Sequence, residues 1–140
     1  MIYLKDADLL ADSYQVFINT STQDATEVIN DNELRAIEIA KTYLSGRYDI
    51  AKVFDATLPI RNELLVDILS KITLYKIFRR NAPRKLPSDI KEDYEWAFKE
   101  LEKIQRGTVM LTGLPIPVDE SGNSTIPTIW GNNSNSNFYI

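Results

Sequence analysis

Carboxylates, lysines, tyrosines and hydroxyls are the only side chains here that can do chemistry, because the 140 residues include no cysteine and no histidine. Thiol nucleophiles, Ser-His-Asp triads, disulfides and zinc-finger sites are thereby excluded. Close carboxylate pairs are what remains for acid–base work: Asp6/Asp8, Asp31/Glu33, Asp89/Asp93 and Glu92/Glu95. Each lies near the start of a helical pattern, where the helix dipole favours acids without any reaction. Asp119-Glu120-Ser121-Gly122-Asn123 lacks the ligand spacing and the closing bidentate Glu of a calcium loop. The glycines form no phosphate-cradling cluster. The expectation is a protein that is not an enzyme and holds no metal or cofactor.

A second kind of chemistry is charge. Between Asp67 and Asp89 there is no acid, while the same window holds Lys71, Lys76, Arg79, Arg80, Arg84 and Lys85. That window carries +6 in a chain totalling −4, which leaves −10 elsewhere. It reads either as a solvated helix face, with Arg79 and Arg80 complementing a C-terminal dipole, or as a docking or channel surface. Without a recognition-helix pattern or interleaved exposed aromatics, any contact with nucleic acid would be to phosphate and not to bases. The net charge of −4 argues against general nucleic-acid coating.

The elements that position these residues are helical. A short first helix opens at Asp6-Ala7-Asp8-Leu9-Leu10-Ala11. Residues 13–29 are ambiguous, because Tyr14-Gln15-Val16-Phe17-Ile18 suits a strand or a buried helical turn, and residues 19–24 read as a loop. Asn30 to Glu33 has the form of a capping box, followed by Leu34, Ile37, Ala40, Tyr43 and Leu44 at helical spacing, with Gly46 placed as a left-handed cap. Pro59 suits the first turn of a third helix whose apolar residues, from Ile60 to Phe78, cover most of its girth. Such a helix packs on several sides, against its own chain or another subunit. Two prolines within residues 81–87 break it. Ser88 is the expected cap of a fourth helix with Ile90, Tyr94, Ala97, Phe98, Leu101 and Ile104 buried, and Gly107 ends it. Trp96 lies one position off that stripe, at a core edge or an interface.

After Gly107 the character changes. Thr108-Val109-Met110-Leu111 suits a short strand. From Gly113 onward there are three prolines, three glycines and no Lys or Arg. The apolar residues Ile126, Ile129, Trp130, Phe138, Tyr139 and Ile140 punctuate this stretch as anchors. A polar arm ordered on such anchors generally needs a partner surface to offset its ordering entropy. The chain therefore divides into a helical domain, 1–112, and an extended, mostly irregular C-terminal arm, 113–140. Met1 to Asp6 lacks the form of a secretory signal, and no apolar run is long enough to span a bilayer.

Particular residues carry a resemblance. Tyr43-Leu44-Ser45-Gly46-Arg47-Tyr48, Leu58-Pro59, Tyr75, Arg79, the proline-containing break, and Tyr94, Ala97, Leu101, Ile104 and Gly107 occur in the order found in tailed-phage head–tail connector proteins of the Mu-like type. Tyr3 and Asp8-Leu9 fit as well, so the sequence resembles that family from about Tyr3 to Gly107, most weakly over 13–29. The connection from Tyr48 to Pro59 is longer than usual, and the tail past Gly107 has no counterpart in that pattern. The resemblance implies a mainly α, four-helix adaptor without activity or cofactor. It implies a ring, commonly twelvefold, beneath the portal, which extends the DNA channel and docks the next tail component. The expected partners are copies of the chain itself, the portal protein and a downstream tail protein. Non-specific contact with genomic DNA in the channel is included, and a membrane is not. The expected location is the head–tail junction of the virion, after assembly in the host cytoplasm. The alternative, from charge alone, is a small helical DNA-binding protein that uses the 71–85 window.

Overall fold

A computed structural model describes residues 1–13, 15–23, 25–80 and 86–126. The fold is mainly helical. In chain order its helices are α1 (Asp6–Asp12), α2 (Gln15–Thr22), α3 (Thr26–Leu44), α4 (Ile50–Val53), α5 (Glu63–Arg79) and α6 (Ser88–Arg106). No strand occurs among the described residues, and Thr108 to Leu111 runs as turn and coil.

Helix α5 is the axle. Leu65, Val66, Ile68, Leu69, Ile72, Leu74 and Ile77 are buried on it, together with Ser70 and Thr73. Helices α1, α2, α3 and α6 all pack against it, with α6 and α3 making the largest contacts. The apolar girth expected to meet its own helices or another subunit is covered by its own chain. Helix α6 is the opposite case: one stripe of Ala97, Leu101 and Ile104 is buried together with Glu100; Ile90, Tyr94, Trp96 and Phe98 are half-buried, and the far face is solvated. Gly107 closes it in the left-handed region at φ 79°, with its N–H donated to the Ile104 carbonyl.

Several boundaries differ from the sequence reading, each for a local reason. The ambiguous 13–29 stretch holds α2, whose Ile18 is buried, and also the first turn of α3. Helix α3 starts at Thr26, so Asn30 sits inside it and forms no capping box. Glu33 instead reaches the N-terminal segment, where its carboxylate accepts the N–H groups of Ile2, Tyr3 and Leu4 at 2.7, 2.8 and 2.6 Å. Gly46 is not left-handed; the chain leaves α3 through a tight turn in which Arg47 and Tyr48 both donate N–H to the Leu44 carbonyl. Pro59 lies ahead of α5, which Asn62 caps by accepting the Leu65 N–H at 3.2 Å. Ser88 is the first residue of α6 and caps nothing, with Pro87 in the cap position.

The two ends of the bundle differ. Helices α3 and α6 both run antiparallel to α5, so the ends of α3 and α6 meet the start of α5. There Arg47 Nε donates to the Gln105 carbonyl at 3.1 Å, and the Tyr48 hydroxyl accepts the Leu111 N–H at 2.7 Å. Asn62 Nδ2 donates to the Thr112 carbonyl, and the Asp49 N–H donates to the Pro115 carbonyl. With Leu111 and Leu114 buried, the segment after α6 is fastened to the domain through Pro115. Tyr3 is strapped to the same region: its hydroxyl donates to the Ile60 carbonyl and accepts the Asn62 N–H, while its ring lies 5.2 Å from Phe54. Arg61 completes the strap by bonding the Tyr3 carbonyl and pairing with Asp8 at 3.1 Å.

Candidate functional site

The cations of the 71–85 window part company in the fold. Lys71 faces α1 and α6, where its ammonium lies 3.4 Å from Asp12, 3.2 Å from Asp67 and 3.8 Å from Asp93. Its side chain is only 14% exposed and sits 5.7 Å above the Trp96 ring. Burial alone would lower its pKa, but the three carboxylates outweigh that and hold it above the ordinary lysine value. Lys71 is a tie between helices, and Trp96 is the half-buried platform beside it. Arg84 and Lys85 lie outside the described residues.

Lys76, Arg79 and Arg80 do come together. Their spacing places them on one face at the end of α5, Arg80 being its C-cap residue. Across from them α3 presents Val28, Asp31, Asn32 and Arg35, and α6 contributes Tyr94 beside Tyr75. These residues line an open groove of about 510 Å³. The sequence pattern does not single out Arg35, because only the antiparallel pairing of α3 with α5 brings it opposite Arg79. Among the lining residues four cations face one carboxylate, Asp31.

Like charges are crowded in this groove. Lys76 is pushed below the ordinary lysine value by partial burial first, then by the Arg35 and Arg79 guanidinium groups. The aromatic wall is ordered: Tyr75 and Tyr94 stack at 3.8 Å between centroids, and Phe98 continues the row 4.8 Å from Tyr94. Burial and the neighbouring Tyr75 raise the Tyr94 phenol above its usual value, while Arg79 opposes this. An arriving carboxylate or phosphate would relieve the mutual repulsion of these cations, so the lining offers an anion favourable contacts beside an aromatic wall.

The acid pairs make no comparable site. Asp8 pairs with Arg61, Glu33 holds backbone N–H groups and Asp93 faces Lys71. Among the described residues no group of three or more acids is arranged to hold a metal. Asp119 is occupied too: its carboxylate accepts the N–H groups of Ser121 and Asn123 at 2.9 and 2.8 Å, which lowers its pKa. The turn it caps closes a small hairpin, bridged between Val118 and Ser124, with Gly122 at φ 81°. Ile126, the first of the arm's anchors, is half-exposed at the end of that hairpin, its N–H donated to Ser124 Oγ. Ile129, Trp130, Phe138, Tyr139 and Ile140 lie outside the described residues.

No helix of the described residues is long and apolar enough to cross a membrane. No curated protein and no solved structure gives a significant match to the chain. The pattern defining the family described as "Bacteriophage Mu, Gp36" does match, over residues 3–125. The match runs past Gly107, so the fastened segment and the hairpin have counterparts in the family, contrary to the expectation from sequence. With residues 3–125 covered, the chain belongs to the bacteriophage Mu Gp36 family of phage proteins.

Proposed function

We propose that this protein is a structural head–tail connector: a ring of copies, twelvefold, that sits below the portal, extends the DNA channel and docks the next tail component. It performs no reaction and needs no cofactor. The family match over residues 3–125 is the observation that carries the reading. Two features of the surface agree with it. The groove at the end of α5 gathers four cations around one carboxylate, a lining that suits an anionic partner surface. At the other end of the bundle, Leu58 is 80% and Met110 77% exposed on the loops gathered there, with Ile116 and Val118 also exposed. Large apolar side chains grouped on such loops suit protein contact.

The four cations beside stacked tyrosines also fit a nucleic-acid backbone, which keeps DNA binding as the second reading. A strongly attractive wall would retard DNA passing through a channel, so protein docking has precedence. The test is the mass of the purified protein in solution, alone and with portal protein. A closed oligomer, formed alone or on the portal, is expected. A monomer that ignores portal and binds duplex DNA with a steep salt dependence would replace this reading with the second.

A further inference from the structure

We infer that the basic groove between α3 and α5 receives the 117–125 hairpin of a neighbouring copy, head to tail. The inference rests on the ring reading and names the two faces that would close it. Within one copy the two lie apart: the hairpin follows Pro115, which is fastened to Asp49 beside the start of α5. The groove lies at the end of α5, a 17-residue helix about 25 Å long. No hairpin residue lines it. A surface and its complement on opposite ends of one chain define a heterologous contact, the kind that closes into a ring when the rotation permits.

Charge and stiffness select the occupant. Among the lining residues only Asp31 faces Arg35, Lys76, Arg79 and Arg80, and the repulsion of Lys76 by Arg35 and Arg79 would be countered by an incoming carboxylate. The hairpin carries Asp119 and Glu120, and no cation lies anywhere from residue 107 to residue 126. Its tip is already set. Asp119 exchanges backbone bonds with Asn123 and Gly122 and caps the turn with its carboxylate, so Glu120 projects from a preformed loop. Pre-organisation lowers the entropy lost on docking. Val118, 47% exposed, supplies an apolar side chain to lie against Tyr75 and Tyr94.

Charge reversal tests the pair in the full-length chain. Arg79→Glu and Glu120→Lys should each weaken assembly about tenfold or more by sedimentation, and the two together should restore it. Both positions are on the surface, and circular dichroism of each variant confirms that it is folded. The chain has no cysteine, so Arg79→Cys with Glu120→Cys gives a clean second readout. Oxidation of that variant should yield a ladder of linked copies, and neither single cysteine should yield more than dimers. Rings that form normally in both reversal variants, or a double reversal that fails to rescue, would overturn the inference and leave the ring reading standing. A wild-type chain that stays monomeric with and without portal removes both. Duplex DNA released by Arg79→Glu and not regained with Glu120→Lys would assign the groove to phosphate instead.

Discussion

Glu33 shows how much one side chain settles in this protein. It is fully buried and forms no ion pair among the described residues, yet it receives three backbone N–H groups from the segment ahead of α1. Those bonds are short and occupy both carboxyl oxygens, so the buried group is fully satisfied. Glu33→Gln keeps the shape, but turns an NH2 group toward one or more of these donors. The expected loss is about 2–4 kcal/mol in urea unfolding, accompanied by faster amide exchange at Ile2, Tyr3 and Leu4. A loss below about 1 kcal/mol would mean that the strap contributes little. Glu33 also marks a limit of reading sequence. Its distance from Asn30 imitates a capping box, and only the folded path of residues 2–4 reveals its partners. The basic window has the same limit, since charge summed along a chain does not separate a paired cation such as Lys71 from an open one such as Arg79. The sequence reading took all six cations of the window as one surface, and the fold is what sets Lys76, Arg79 and Arg80 apart from Lys71. Arg35 stayed hidden because it belongs to the site only through the packing of α3 on α5.

At the scale of elements, glycines distinguish the two helix ends. Gly107 sits at φ 79°, and an added Cβ would meet the Arg47 guanidinium at 2.7 Å. That guanidinium is the end of a flexible side chain, so most of the penalty comes from the backbone conformation. Gly107→Ala should therefore cost about 1–2 kcal/mol. Gly46 has no positive φ and nothing within 4 Å of an added Cβ, so Gly46→Ala should be neutral or stabilise by up to about 1 kcal/mol. Thermal melts of the two variants check the contrast, and equal shifts would contradict it. Sequence patterns located α5 and α6 well because each is long and strongly patterned, in girth for one and in a stripe for the other. Helices α2 and α4 were not legible. Eight and four residues are too few for a period to emerge, and their stability comes from what they pack against.

For the whole molecule, the question is where the helical domain ends. Leu111 and Leu114 are core residues, and the Pro115 carbonyl accepts from Asp49. Ending the chain at residue 112 should therefore lower stability by about 2 kcal/mol through loss of Leu114 and that bond. Ending it at residue 126 retains both and the hairpin, and should preserve head-to-tail assembly if the hairpin is its complement. Denaturant melts and sedimentation of the two truncations check this. An unchanged stability on ending at residue 112 would show the fastening to be superficial.

That fastening has a mechanical consequence. Tension applied beyond residue 115 reaches the bundle first through the Asp49–Pro115 and Asn62–Thr112 hydrogen bonds, both at the loop end of the domain. Behind these bonds sit the buried Leu114 and Leu111, the latter with its N–H on the Tyr48 hydroxyl, so the core at that end takes up the load next. A chain pulled from that side would thus lengthen only by drawing Leu114 and then Leu111 out of the core, so extension and loss of packing begin together at this end of the bundle.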